Sequence, residues 1–131
     1  MTNDLEMQTN TSDEITALHQ DNNESKTYQD QLLSALFNKD IDHFKYVLSF
    51  GKVNVDYYYT DPKDGIQKTC VDMACSEPGY SEYVELLLIH GANVNKYNPF
   101  LKKIPLFLAT ETGDIGTIRT LLSHSKLRVN N

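Results

Sequence analysis

The residues best suited to chemistry in this 131-residue chain are two cysteines and four histidines. Cys70 and Cys75 are five positions apart, so on a helix their side chains diverge by about 140°, at roughly 100° per residue. They form no Cys-x-x-Cys pair, and no histidine stands at the spacing of a zinc ligand. No basic residue adjoins either cysteine to favour its thiolate. We therefore interpret both as small buried residues rather than as metal ligands or nucleophiles.

The other residue types offer no catalytic pattern either. His90 and His124 occupy equivalent positions near predicted helix ends, where a cation would complement the helix dipole. The sequence contains no Gly-rich phosphate loop and no local Ser/His/Asp arrangement. We therefore predict that the chain is not an enzyme. We assign no catalytic, metal-binding or cofactor-binding residue, and we expect no cofactor.

Charge and hydropathy narrow the possible partners. The chain carries 18 acidic and 12 basic residues, for a net charge of −6. Six of the acids but only one base lie in residues 1–27, so the remainder is nearly neutral and lacks the basic face that nucleic acid requires. The longest apolar runs, such as 86–89, are far shorter than the roughly 20 residues of a membrane span. With no signal-peptide pattern in the first ten residues, we expect a cytoplasmic location without direct membrane insertion.

The chain divides by composition into a tail and a folded domain. Residues 1–27 are polar and acidic and contain no aromatic residue, so they cannot bury enough apolar area to offset the entropy of ordering. We predict a disordered acidic tail at 1–27 and a folded domain at 28–131.

The folded domain repeats one apolar pattern three times. GYSEYVELLLIHGANVN (79–95) lies 34 residues before GDIGTIRTLLSHSKLRVN (113–130) and 40 residues after KDIDHFKYVLSFGKVNVD (39–56). In the first two of these segments, in chain order, the helical pattern ends at Gly51 or Gly91. A glycine adopts the left-handed conformation of a helix end without steric cost.

A shorter apolar helix pattern precedes each of these segments. Each has a small residue near its centre, namely Ala35, Ala74 or Ala109, where a neighbouring unit can pack closely. The resulting helix-turn-helix units occupy about 28–56, 67–95 and 102–131. One unit cannot bury its apolar face alone, so we predict an all-α solenoid in which three stacked units share a core.

Two connectors between the units hold the best candidates for partner binding. YYYTDPKDGIQK (57–68) and the shorter KYNPFLKK (96–103) combine turn residues with aromatics, and we predict β-hairpins. Tyrosine and phenylalanine are rigid interface anchors, which favours a partner-facing edge. Its predicted residues are Tyr58, Asp61, Lys63 and Phe100. The alternative is that the tyrosines only pack neighbouring hairpins together.

These residues resemble the ankyrin repeat over about 28–131. The family begins its inner helix with Thr-Pro-Leu-His and continues with Ala. Here Ile104-Pro105-Leu106-Phe107 occupies that place in the third unit, and Thr69-Cys70-Val71-Asp72 in the second. We expect the divergent tetrapeptides to weaken the turns that start the first and second units. The residues that carry the repeat signature are Ala74, Gly79, Gly91, Asn95, Pro105, Leu106, Ala109 and Gly113.

The second and third units also resemble the N-terminal ankyrin region of insect painless-type channels, which are ankyrin-type transient receptor potential cation channels. The resemblance rests on CSEPGYSEYVELLLIHGANVNKYN and IPLFLATETGDIGTIRTLLSH. It implies the cytosolic N-terminal part of a non-selective cation channel subunit, active in ion transport and sensory transduction, with no pore in this segment. Such a chain would lie at the cytosolic face of the plasma membrane and would oligomerise only within a channel.

The last unit suggests that the stack is unfinished. The pattern TIRTLLSHS keeps Ile118, Leu121 and Leu122 with no polar capping repeat after it. Either further repeats or a protein partner cover this surface, or residues 126–131 fold back over it. We predict a protein-interaction scaffold, either part of a channel subunit or a stand-alone soluble adaptor.

Overall fold

The computed structural model describes the backbone of residues 20–129 and the side chains of residues 27–125. This part of the chain contains three helix pairs and one small two-stranded sheet. Its elements are α1 (Gln20–Phe37), α2 (Ile41–Ser49), β1 (Tyr59–Thr60), β2 (Gln67–Lys68), α3 (Cys70–Cys75), α4 (Ser81–Ile89), α5 (Pro105–Thr112) and α6 (Ile115–Val129).

The helix pairs stack in two layers. Helix α3 packs against α1 on one side and α5 on the other, and α4 packs in the same way between α2 and α6. The inner helices α1, α3 and α5 therefore form one layer. The outer helices α2, α4 and α6 form the other. This arrangement confirms the predicted all-α solenoid of three units.

One helix boundary differs from the sequence-based one. Helix α1 begins at Gln20, so residues 20–27 of the predicted tail are helical and continue the helix whose Leu32 and Leu36 are buried. Helix α6 runs on to Val129, and the position equivalent to Gly91 is Ser125, so no glycine ends the helix there. Residues 1–19 of the predicted tail lie outside the described residues.

The core is shared between the units, as a stack requires. Ala35, Ala74 and Ala109 are fully buried where inner helices meet, which confirms the expected close packing at these positions. In the outer layer, the rings of Phe44 and Tyr83 meet edge to face with centroids 5.0 Å apart. That contact joins the first unit to the second.

The middle unit ends its outer helix as predicted. Gly91 has φ +100°, and its N–H donates to Leu88 O at 3.1 Å. The next N–H, of Ala92, donates to Leu87 O at 2.9 Å, which completes a Schellman motif. The carbonyls of Leu87 and Leu88 are thereby satisfied, and the chain turns towards the second connector.

The other signature residues lie at turns and helix starts. Gly113 ends α5 in the left-handed conformation, and Pro105 is the first residue of that helix, followed by the half-buried Leu106. Gly79 has φ +90° and donates to Asp114 Oδ2 at 2.8 Å, which ties the second unit to the third. Asn95 is exposed, and its N–H donates to Asn93 Oδ1.

Candidate partner-binding site

Both connectors fold into turns, which we call the first finger (57–68) and the second finger (96–103). In the first finger β1 and β2 pair antiparallel, with Tyr59 opposite Lys68 and Thr60 opposite Gln67. In the second finger a single antiparallel bridge joins Asn98 and Lys103. The predicted hairpins therefore form, although their strands are short.

The turns of the two fingers share one hydrogen-bond frame. In the first, Asp61 N donates to Ile66 O and Gly65 N donates to Asp61 O. In the second, Asn98 N donates to Lys103 O and Lys102 N donates to Asn98 O. The segments 61–66 and 98–103 are thus equivalent position by position, and Lys63 corresponds to Phe100.

Asp61 does not lie on the predicted partner-facing edge, and this part of the prediction is wrong. Its side chain is buried, and its Oδ2 accepts a hydrogen bond of 2.9 Å from Lys68 Nζ. Lys68 Nζ also donates to Asp64 Oδ2 at 2.8 Å. Burial alone would raise the pKa of Asp61, but the hydrogen bonds from Lys68 and from the Lys63 N–H, together with the charge of Lys68, outweigh burial and lower that pKa. Asp61 therefore stabilises the first finger through a contact inside the turn rather than at its surface.

Lys63 lies at the exposed tip of the first finger and pairs with Glu77, which lies beyond α3. This ion pair raises the pKa of Lys63. The pair stands beside a cavity of about 340 Å³ between α1, the first finger and α3. The cavity is lined by Leu36, Phe37, Asp61, Lys63, Lys68, Met73, Ser76, Glu77 and Tyr80. A role for Lys63 in partner binding stays a prediction.

Tyr58 and Phe100 are brought together, one from each finger. Their rings meet edge to face with centroids 5.7 Å apart, and Lys96 Nζ lies 5.2 Å from the centroid of the Tyr58 ring. Tyr58 is half-buried, while 58% of Phe100 remains exposed. Tyr58 thus packs the two fingers together, as the alternative interpretation expected, and Phe100 keeps a free surface. Partner binding by either residue stays a prediction.

Of the neighbouring tyrosines, Tyr59 faces the stack, and the exposed Tyr57 lies against it. Tyr59 is buried, donates a hydrogen bond of 2.9 Å to Gln29 O and accepts one of 3.0 Å from Gln29 Nε2. Burial raises the pKa of Tyr59 well above its ordinary value. The ring of Tyr57 contacts that of Tyr59 at 4.9 Å. Rings therefore alternate between the two sides of the finger, as expected for an extended strand.

Asn98 shapes the second finger and was not among the residues predicted from the sequence. Asn98 is fully buried, and its Oδ1 accepts from the N–H groups of Phe100 and Leu101 at 2.8 and 3.1 Å. Its Nδ2 donates to Gln67 O at 2.9 Å and to Asp72 Oδ2 at 2.8 Å. The signal available in the sequence was the Asn-Pro pair, because asparagine at the start of a turn accepts from backbone amides two residues on.

Asp72 anchors this network and starts α3. Thr69 Oγ1 accepts from Asp72 N, and Asp72 Oδ2 accepts from Thr69 N, both at 3.1 Å. This is a complete capping box, so the expectation of a weakened turn in the second unit is wrong. Burial raises the pKa of Asp72, and its hydrogen bonds from Thr69 and Asn98 act in the opposite direction.

The cysteines occupy apolar sites in α3. Both are buried, and neither forms a disulfide. Burial raises the pKa of Cys70 to about 12 and that of Cys75 even further. A thiolate is therefore disfavoured at both positions. Within the described residues, no group of three potential ligands could hold a metal ion.

The last unit exposes positions that are buried in the middle unit. Leu122 is 42% exposed, whereas its equivalent Leu88 is 7% exposed. Phe107 is 50% exposed, whereas its equivalent Asp72 is covered by the second finger. Leu106 is half-buried where Val71 is buried. We call Leu106, Phe107 and Leu122 the C-terminal face.

Fold and sequence together show that the chain contains an ankyrin repeat within an all-α stack of helix pairs. Residues 67–99, which span the middle unit and its connector, match the sequence model of the ankyrin repeat. This repeat is a protein-interaction fold without catalytic function of its own. Within the described residues, no helix is both long and apolar enough to cross a membrane.

A particular relative can also be named. The chain is 30% identical over 96 residues to the transient receptor potential cation channel protein painless of Drosophila melanogaster. The matched region covers 73% of this chain but 10% of that protein. The chain thus spans about a tenth of the length of the curated relative that it matches, and the resemblance to painless-type ankyrin regions is confirmed.

Proposed function

We propose that this chain is the cytosolic N-terminal ankyrin segment of a painless-like cation channel subunit. In this role it holds protein contacts at the cytosolic face of the plasma membrane and conducts no ions itself. The similarity to the painless channel supports the assignment to a channel, and the repeat fold supports the scaffold role.

The observation that carries the proposal is the C-terminal face. Leu88 is buried in α4, which packs against α6, and Leu122 lies at the equivalent position of a unit with no following helix pair among the described residues. Phe107 adds a second exposed apolar side chain. Covering such residues stabilises a protein by roughly 1.5–3 kcal/mol per fully buried side chain. A fourth ankyrin-type unit of the same subunit fits this face.

The test compares one substitution in two chains. Leu122→Lys is made in the 131-residue chain and in the complete product of its reading frame, and urea unfolding of the repeat region is measured. We expect a small loss of stability in the short chain and a loss of about 2–4 kcal/mol in the long one, where a lysine replaces a covered leucine.

Ser123→Lys is the matched control, because the equivalent Ile89 is 61% exposed although a unit follows it. It should be neutral in both chains. Equal effects of Leu122→Lys in the two chains, or a reading frame that ends at Asn131, would contradict the proposal of a continuing stack.

A second candidate function is a stand-alone adaptor that binds a protein through its fingers. The exposed part of Phe100, held against Tyr58, favours this alternative. A partner is first identified by cross-linking, and its affinity is then measured by calorimetry. Phe100→Ala should weaken binding at least tenfold.

Tyr97→Ala is the control for this experiment, because Tyr97 lies in the same finger and is 55% exposed. Equal affinities of the Phe100→Ala variant and the unaltered chain would remove the fingers from the binding surface. Binding by the 131-residue chain alone would favour the adaptor over the channel segment.

A further inference from the structure

The second finger concentrates positive charge in an acidic protein. Residues 96–103 contain three lysines and no acid, while the chain as a whole carries a net charge of −6. Lys103 is neutralised by Glu111, whose two carboxylate oxygens lie 3.0 and 3.2 Å from its Nζ. Lys96 lies over the Tyr58 ring, and the exposed Lys102 has no ion-pair partner among the described residues. Two lysines therefore remain available beside Phe100.

The backbone at Lys102 is unusual for a residue with a side chain. Lys102 has φ +61°, in the left-handed region that favours glycine. The equivalent position of the first finger holds Gly65, with φ +72° and the same hydrogen bond across the turn. In the second finger, lysine thus occupies a position where glycine would make the turn more stable. Together with its position beside Phe100, this strain makes the Lys102 side chain a candidate for a role outside folding.

An aromatic side chain stands between these lysines in the sequence. Phe100 is 58% exposed, and its backbone is fixed because Asn98 Oδ1 accepts its N–H at 2.8 Å. Tyr58 supports its ring from below. Because the surface is already ordered, a partner would lose little of its binding free energy to ordering this finger.

We propose that Lys96, Phe100 and Lys102, which we call the second-finger tip, bind an acidic segment of a protein partner. An apolar side chain of that segment packs on Phe100, and flanking carboxylates pair with Lys96 and Lys102. This proposal rests on the proposed scaffold function and adds the chemical class of the partner.

An anionic membrane surface fits the second-finger tip less well. Membrane attraction of this kind uses clusters of about four to eight basic residues. The second finger holds three lysines, and Glu111 already neutralises one of them. We therefore choose an acidic protein segment as the ligand.

The test uses the full 131-residue chain and a fluorescein-labelled nonapeptide with a central leucine flanked by glutamates. Fluorescence anisotropy gives its affinity at low salt and at 0.5 M NaCl, and thermal unfolding gives stability. We expect Lys102→Gly to raise the Tm and to weaken peptide binding about three- to fivefold at low salt. If the Tm rises while the peptide affinity falls, misfolding cannot explain the lower affinity.

Lys39→Gly is the matched control. Lys39 is also exposed with a left-handed backbone, at φ +54°, but it lies between α1 and α2, outside both fingers. Its Nζ lies 4.7 Å from the centroid of the Tyr80 ring, so the loss of that contact should reduce the gain in Tm. Peptide affinity should not change in this variant.

Several outcomes would overturn the proposal. Two of them are undetectable binding of the peptide and an affinity of the Lys102→Gly variant equal to that of the unaltered chain. The others are equal affinity for a peptide with glutamine in place of glutamate, and binding only to vesicles of anionic phospholipid. In a further outcome, the peptide does not bind while Leu122→Lys still costs more stability in the long chain than in the short one. That combination would contradict the acidic partner but would still support the scaffold function.

Discussion

Asn98 Nδ2 lies 2.8 Å from Asp72 Oδ2, and this hydrogen bond joins the second finger to the start of α3. Both side chains are buried. The same carboxylate oxygen accepts the N–H of Thr69, so one atom serves a capping box and a connector at once. The stacking of the second and third units thus depends on a polar contact as well as on apolar packing.

Removal of the Asp72 carboxylate should destabilise the fold. Asp72→Ala leaves Thr69 N and Asn98 Nδ2 without their acceptor, which we expect to cost about 2–3 kcal/mol in the free energy of unfolding. Asp72→Asn keeps an acceptor oxygen and should cost less. Urea unfolding measures both variants, and equal losses would contradict this account of the network.

The stability of Asp72→Asn should also depend differently on pH. Because burial raises the pKa of Asp72, the folded state binds this proton more tightly than the unfolded state does. The contribution of Asp72 to stability therefore falls as the pH rises from about 4, the ordinary Asp value, through the raised folded value. The variant lacks this loss, so its stability relative to the unaltered chain should rise over that window. A constant difference from pH 3 to 7 would oppose this prediction.

The buried ion pair of the first finger should matter more than the exposed one. Lys68→Met leaves Asp61 buried without its partner, and we expect a loss of about 2–3 kcal/mol at pH 7. Lys63→Met removes the exposed pair with Glu77 and should have little effect. Because the pKa of Asp61 is lowered, its contribution is complete above about pH 4 and is lost as the pH falls through the folded value. The cost of Lys68→Met should therefore shrink in acid, and a cost independent of pH would argue against the pair.

Equivalent leucines should differ in their cost when truncated. Leu88→Ala removes a buried side chain of α4, and we expect a loss of about 2–4 kcal/mol. Leu122→Ala acts at the exposed C-terminal face and should cost less than about 1 kcal/mol in the 131-residue chain. Urea unfolding measures both. A large cost at Leu122 would mean that this face is covered in the chain itself.

The two cysteines should resist alkylation in the folded protein. Both are buried, and burial raises the pKa of each thiol, so little thiolate is present or accessible near pH 7. Iodoacetamide labelling followed by mass spectrometry should show slow modification that accelerates in denaturing urea. Rapid labelling of Cys70 or Cys75 without urea would contradict the buried placement.

The repeat architecture could be predicted from the sequence because it depends on local signals. The apolar spacing that ends at Gly91 and the central Ala74 each report a requirement of their own segment, namely a left-handed helix end and a close helix contact. The extent of α1 was harder to predict, because the polar residues 20–27 join a helix that is held by apolar residues further along.

The candidate site was less predictable because its residues act across units. Asp61 was expected at the surface, since its neighbours are turn residues. It is buried instead, where it accepts a hydrogen bond from Lys68. Asn98 was overlooked because its partner Asp72 is 26 residues away and the bond exists only once the second finger lies on α3. The equivalence of Lys63 and Phe100 likewise appears only in the hydrogen bonds of the two turns.

The sequence alone determined that this protein is a stack of ankyrin-type units, because periodic apolar residues and helix-ending glycines act within each unit. Only the tertiary structure decided which polar side chains are buried, that Tyr58 supports Phe100, and which leucine lacks cover. The physical reason is that burial and hydrogen-bond partners depend on residues far apart in the chain, whose contacts form only when the units pack together.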